Sequence, residues 1–325
     1  MIVITGAAGF VGSCLVSFLN QEGYTNLLLV HNFSDTRKAK NLEGKIFTRE
    51  IERDVFLDWF NNNHNEIDFV FHIGARTDTT EQDHKIFDEL NFNYTKRIWE
   101  ICSKAALPLV YASSAATYGI GEYGYTENEA NLQFLAPLNP YAVSKNQFDK
   151  WAIQQTATNA VPSRWYGLKF FNVYGPNEYH KSRMASVIFH AYNQMQNNGV
   201  IKLFRSHKAG IKDGEQMRDF VYVKDVCKVC FFILQNQSLT SGIYNLGSGT
   251  ARTFIDLATN TFAAVGQKPN IQFIDTPQDI RNSYQYFTQA DMNKLKNAGY
   301  NENFYSLEQG IFDYVQNYLA QDKYF

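Results

Sequence analysis

Met1-Ile-Val-Ile-Thr5-Gly6-Ala-Ala-Gly9-Phe10-Val11-Gly12 opens the chain and decides its fold. The run Met1–Thr5 is short, apolar and β-rich; the glycines follow at once, and a helical pattern runs through Cys14–Asn20. Glycine at Gly6, Gly9 and Gly12 lets the backbone turn tightly and approach a pyrophosphate. The helix start that follows, with Phe10 and Val11, offers free N–H groups and a partial positive charge to that anion. The position between a strand and a helix separates this pattern from a chance cluster of glycines.

Outward from this unit the strand signal recurs at Leu27–Val30, Phe69–Phe71, Leu109–Tyr111 and Gly167–Phe171, with helix-length segments between. Alternating β and α elements predict an α/β protein, a Rossmann doubly wound parallel sheet covered on both faces. After Asn172 the pattern loosens: a helix near Ala185–Asn197, a polar loop at Lys208–Gly214, a strand at Phe220–Val223. We expect a smaller α/β C-terminal substrate lobe. Residues 1–171, 222–248 and 290–305 would form the NADP-binding domain, and 172–221, 249–289 and 306–325 the lobe. Gly119–Asn139, rich in Gly, Tyr, Asn and Pro, reads as a long functional loop.

With 325 residues and a net charge of −2 the chain has no basic field, so nucleic acid is not the expected partner. No apolar run approaches the ~18 residues of a membrane span, and the first strand begins at Met1, so no membrane is expected and a cytoplasmic location is. Cys227 and Cys230 form a CxxC, yet no second pair supplies further ligands, so a metal site is not expected and both read as helix core. His72, at a strand end, reads as structural.

The second strand ends in His31-Asn32, where an NAD-binding chain usually carries an acid for the ribose 2′-hydroxyl. Arg37, Lys38 and Lys40 follow, cations suited to a 2′-phosphate, which favours NADP with NAD the alternative. Tyr141 and Lys145 stand four residues apart on a helix that Pro140 can begin, so both side chains share one face. A phenol of pKa about 10 needs a neighbouring cation to serve as a base near neutrality. Tyr111–Gly119 (YASSAATYG) lies at a strand end, where open α/β sheets bind ligands, and a hydroxyl from Ser114 or Thr117 there would hold a substrate oxygen.

The order TGAAGFVG, SSAATYG, NPYAVSK, FFNVYGP, RDFVYVKD and YNLGSG resembles the extended short-chain dehydrogenase/reductases that act on sugar nucleotides, over nearly the whole chain. The resemblance implies Ser114, Tyr141 and Lys145 as the catalytic group, with Lys145 also bonding the nicotinamide ribose and Asn91 steadying the site. It extends the cofactor contacts to His31, Asn32, Lys38, Arg53, Ile73, Gly74, Ala75 and Val173. The segments Asn177–His190, Leu203–Ser206 and Tyr284–Asp291 resemble one epimerase branch, in which a sugar carbon gives up hydride and regains it on the opposite face. That branch implies Lys181 as a second acid/base opposite Tyr141. It also implies Arg218 on the diphosphate of a small nucleotide sugar, with Asn172, Arg183, His190, Phe204 and Tyr284 as further contacts, and a homo-oligomer, a pentamer.

Three departures stand out: His31 replaces an acid, Arg183 stands where a small residue is usual, and the Gly119–Asn139 loop is long. A 4,6-dehydratase would carry an Asp–Glu pair after the serine, where this chain has Ala115 and Ala116, so dehydration is not expected. A 4-epimerase shares the core motifs and differs in the Lys181 and Tyr284 regions. A non-catalytic NADP sensor would not need the intact Ser114, Tyr141 and Lys145.

Overall fold

The computed structural model describes residues 1–281 and 284–325. Its strands are β1 (Ile2–Thr5), β2 (Leu27–His31), β3 (Arg49–Glu52), β4 (Phe69–His72), β5 (Leu109–Ser114), β6 (Trp165–Phe170), β7 (Asn172–Tyr174), β8 (Ile201–Phe204), β9 (Met217–Tyr222), β10 (Gly242–Leu246), β11 (Ala251–Thr253) and β12 (Ile271–Ile274). The helices are α1 (Phe10–Gln21), α2 (Arg53–Asn63), α3 (His84–Phe87), α4 (Tyr94–Lys104), α5 (Pro140–Ala157), α6 (Val187–Asn198), α7 (Val223–Gln235), α8 (Phe254–Ala264), α9 (Gln278–Arg281), α10 (Asn293–Asn297) and α11 (Leu307–Asn317).

Seven strands form one sheet in the order β10-β6-β5-β4-β1-β2-β3, every pair parallel. All residues of β1, β4, β5 and β10 are buried, as in a parallel sheet covered on both faces, and β1, β4 and the first half of β5 accordingly carry apolar runs rather than alternation. Helix α1 packs on α7, and α2 on α4, so the sheet is covered from both sides. Cys227 and Cys230 are buried free thiols of α7, as expected for core residues.

The chain order reverses between β1 and β4, the switch point at which such sheets bind ligands beyond their carboxyl ends. Beyond that edge lie two small sheets, β11-β9-β7 and β12-β8. Helices α6 and α11 pack on α8 beside them. Edge strand β3, with sequence REIE and only Ile51 buried, escapes sequence reasoning because it carries no apolar run. Among the described residues no helix is long and apolar enough to cross a membrane.

Candidate active site

A cleft of about 1740 Å³ runs along the carboxyl ends of the sheet. At its floor Gly6 has φ +66°, and a Cβ there would sit 2.5 Å from the Gly74 Cα; one on Gly12 would sit 2.2 Å from the Gly6 carbonyl oxygen. The two turns after β1 and β4 therefore touch only because both are glycine. Gly9 caps α1 without a side chain, and the first helical turn carries no acid, leaving N–H groups free for an anion. Phe10, Val11, Ile73 and Ala75 line the same floor, so this cradle fits the pyrophosphate of a nicotinamide dinucleotide.

At one end His31, Asn32, Lys38 and Arg53 line the cleft. His31 Nε2 meets Glu50 at 3.2 Å, and Arg53 pairs with Asp54 at 2.8 Å. Asp35, a residue that sequence reasoning passed over, binds Arg37 at 2.8 Å and Lys38 at 3.0 Å, and the Arg37 guanidinium above all holds its carboxyl well below the usual range. Lys40 instead lies over the Tyr324 ring, 5.9 Å from its centroid.

In the middle of the cleft, Ser114 ends β5 and Tyr141 and Lys145 project from the first turns of α5, whose N-cap Asn139 Oδ1 accepts from Ala142 N at 2.9 Å. Burial pushes the Tyr141 phenol up, while the facing Ser114 hydroxyl pulls it down. Lys145 is buried and donates from Nζ to the Ala112 carbonyl at 2.7 Å; burial lowers it to about 8 against the opposing pull of Asp149. Desolvation is the larger effect on Tyr141, so its phenol lies above the ordinary value, and the neighbouring Lys145 is not among the groups that shift it.

Asn91 does not line the cleft but organises it. Its Oδ1 accepts from Arg76 N at 2.8 Å, and its Nδ2 donates to Arg76 O at 3.0 Å and to Ser144 Oγ at 3.1 Å. His72 is part of the same frame, with Nδ1 2.6 Å from Thr5 Oγ1 and Nε2 2.9 Å from Thr95 Oγ1. Burial lowers its pKa to about 3, so it is neutral, and within this frame it also lines the cleft.

Thr117 corrects the sequence reading. It is fully buried behind β5, donating to the Ser114 carbonyl at 2.8 Å and accepting from Lys169 Nζ at 2.6 Å, and it cannot meet a substrate. Lys169 also pairs with Asp149 at 2.8 Å, both side chains fully buried. Tyr111 and Ser113 donate to the same carboxylate at 3.0 and 2.7 Å. This network carries no sequence signal, because it joins β5, α5 and β6 only in the fold.

Lys181 and Arg183 reach the cleft from the short 3-10 segment Tyr179–Met184, with Lys181 Nζ 5.2 Å from the Phe10 ring centroid. Between them Ser182 holds φ +49°, a region that favours glycine. Asn172 and Val173 of β7 also line the cleft. Across from Arg183 the loop Arg76–Gln82 forms the other lip, with Asp78 placed between Arg76 (3.6 Å) and the field of Arg183. That loop has no apolar period and was missed.

Arg218, Phe204 and Tyr284 gather beside the cleft rather than along it. The Arg218 guanidinium lies 5.2 Å from the Tyr284 ring and 5.6 Å from that of Phe254, and Tyr284 meets Phe204 at 6.3 Å. Arg218 donates to the carbonyls of Met217 and Gln285. Asp219 turns away to accept from Ser248, Gly249 and Ala290, so the two do not pair. Among the described residues no carboxylate pairs with this buried guanidinium. His190, on α6, packs its ring against Phe189 at 5.8 Å and, like Arg218, Phe204 and Tyr284, lies outside the cleft wall.

A dinucleotide cradle at the switch point, with a serine, tyrosine and lysine over it, defines a nicotinamide-dependent short-chain enzyme. Residues 2–247 match the model of the NAD dependent epimerase/dehydratase family, and the chain belongs to that family. It is 46% identical, over 99% of both chains, to the ADP-L-glycero-D-manno-heptose-6-epimerase of Fusobacterium nucleatum. The solved ADP-L-glycero-D-manno-heptose-6-epimerase of Helicobacter pylori superposes with a TM-score of 0.79 at 26% identity, covering 97% of this chain and 95% of that one. The Thermus thermophilus UDP-glucose 4-epimerase, solved with NAD, shares the fold at a TM-score of 0.77 and 24% identity, with 97% of each chain covered.

Proposed function

We propose that this enzyme inverts C6 of ADP-D-glycero-D-manno-heptose to give the L-glycero epimer, by transient oxidation and re-reduction with a bound NADP. The observation that carries the reading is that one cleft holds two separate acid/base candidates, Tyr141 from α5 and Lys181 from the loop after β7. The 46% identity to a 6-epimerase over 99% of the chain supports the reading. A bound nicotinamide supplies the acceptor and donor of hydride.

The chain's own residues handle the protons. Ser114 fixes the substrate hydroxyl, and Tyr141 takes or returns its proton. Lys145, held at the Ala112 carbonyl, sets the charge beneath the phenol and meets the nicotinamide ribose. Lys181 does the same work as Tyr141 when the oxygen lies on the other side. A carbon without an acidic proton is inverted this way without a carbanion. Arg218 would pair with the diphosphate, since the anion would supply the partner that the buried guanidinium lacks. Arg37 and Lys38 would exchange Asp35 for the 2′-phosphate of NADP, with His31, Asn32 and Arg53 around the adenosine ribose. A homo-oligomer in the cytoplasm is part of this reading.

The test incubates the purified protein, without added cofactor, with ADP-D-glycero-D-manno-heptose and follows both C6 epimers by NMR. A mixture of epimers supports the reaction and a retained, self-regenerating cofactor. No conversion after NADP and NAD are supplied overturns it and turns the reading to a 4-epimerase of another nucleotide sugar. NADP in the protein released by denaturation supports the cofactor choice, and NAD alone overturns it.

A further inference from the structure

Glu178 is a fully buried carboxylate on which both ends of the Lys181 loop converge. From the start of the loop Gly175 N donates to Oε1 at 3.3 Å. From its end Ser186 donates twice, from N to Oε2 at 2.5 Å and from Oγ to Oε1 at 2.6 Å. Ser186 is also the N-cap of α6, accepting from Phe189 N at 3.2 Å, so the carboxylate lies at a helix N-terminus, where a negative charge is favoured. The Glu178 carbonyl accepts from Lys181 N at 2.9 Å, which curls the chain so that Lys181 stands at the crest of a loop pinned at its base.

Around Lys181 the titratable groups are Glu178, Tyr179 and His180 on its own loop, Asp35, Arg37 and Lys38 after β2 that act on His180, and Cys14 of α1 and Tyr314 of α11 near Glu178. Burial holds His180 down at about 4, leaving it uncharged near neutrality. Glu178 is the anion acting on Lys181, opposing the burial that lowers its ammonium. Burial above all pushes the Glu178 carboxyl up, and the Lys181 ammonium opposes that shift.

We propose that Glu178 is the positioning residue of Lys181: its carboxylate fastens the 175–186 loop and supplies the countercharge that keeps the Lys181 ammonium at the cleft. This rests on the reading of Lys181 as the second acid/base. Because Tyr141 and Lys181 serve opposite placements of the C6 oxygen, loss of Glu178 must injure the reaction of one epimer and spare the first half-reaction of the other. A residue that merely stabilised the fold would weaken both alike.

The experiment supplies each C6 epimer separately to the holoenzyme and follows the near-ultraviolet absorbance of reduced nicotinamide in a single turnover. Lys181→Met first identifies the epimer whose oxidation needs Lys181; if both epimers react as in wild type, the Lys181 reading itself fails, and with it the proposal. In Glu178→Gln, oxidation of that same epimer falls by about tenfold or more, while the other stays within about twofold. Equal slowing of both, or no change, overturns the role of Glu178 and leaves Lys181 standing. A second readout follows the lysines, dimethylated with ¹³C, by NMR: Lys181 titrates at lower pH in Glu178→Gln than in wild type, and an unchanged titration overturns the proposal. Should Glu178→Gln not fold, Glu178→Asp, which keeps the charge but withdraws it from Ser186, carries the same kinetic comparison.

Discussion

Replacing Tyr141 by phenylalanine removes a single oxygen from a side chain whose ring packs 6.4 Å from Phe87. The packing survives and the transferable proton does not, so turnover falls by about 10²–10⁴-fold while the melting temperature stays within error. Lys145 titrates at about 8, so its ammonium is lost above that pH; kcat/KM declines above about pH 8, and in Lys145→Arg the decline moves to higher pH. His72 carries a stability prediction. Its pKa falls from 6.5 to about 3 on folding, so the unfolded chain binds the proton more readily. Its contribution is present in full above about pH 6.5 and is lost as the pH falls toward 3. Melting curves of His72→Gln should therefore depend less on pH in that interval than those of wild type. At this scale the tyrosine and lysine were legible from their spacing of four along one helix, and the serine from its place at a strand end. The partners of Lys145 and of His72 were not, since Ala112 and Thr95 come from other elements.

Helix α5 and strand β6 are joined by the Asp149–Lys169 pair, directly behind the strand that carries Ser114. Removing one partner leaves an uncompensated buried charge, so Lys169→Met should lose ~3–5 kcal/mol in denaturant unfolding, and Asp149→Asn added to it should recover part of that loss. The first βα turn fails differently. In Gly12→Ala the new methyl meets the Gly6 carbonyl oxygen at 2.2 Å, so the turn must open and nicotinamide dinucleotide binding, measured by calorimetry, is lost. Elements with an apolar run were legible in the sequence: β1, β2, β4 and β6 fall where the pattern places them, within a residue or two, and β5 starts where expected but runs three residues further, to Ser114. β3 was not, being a polar edge, and β10 was not recognised as a strand, because Gly242–Leu246 (GIYNL) is short and opens on glycine.

Across the whole molecule the cleft joins the switch point of the large sheet to the segments after β7. Saturating dinucleotide at about a hundred times its dissociation constant should add ~2.7 kcal/mol to stability in protein freed of cofactor, and raise its melting temperature accordingly. A variant carrying both Gly12→Ala and Lys181→Met should show no such rise, whereas Lys181→Met alone should keep it, since the cradle and the second acid/base occupy separate elements.

The sequence by itself marked the parallel sheet, the glycine cradle and the Tyr141 and Lys145 pair, with Ser114 or Thr117 beside it. Each rests on short-range order: a strand's run of apolar residues, a turn only glycine can make, a spacing of four along one helix. The tertiary structure alone decided that Thr117 serves a buried lysine instead of a substrate, that Asp35 competes for Arg37 and Lys38, and that Glu178 gathers the loop bearing Lys181. Those are encounters between residues far apart in the chain or between distinct elements. Their energies come from desolvation and charge, which depend on what surrounds a group in space and leave no period in the sequence.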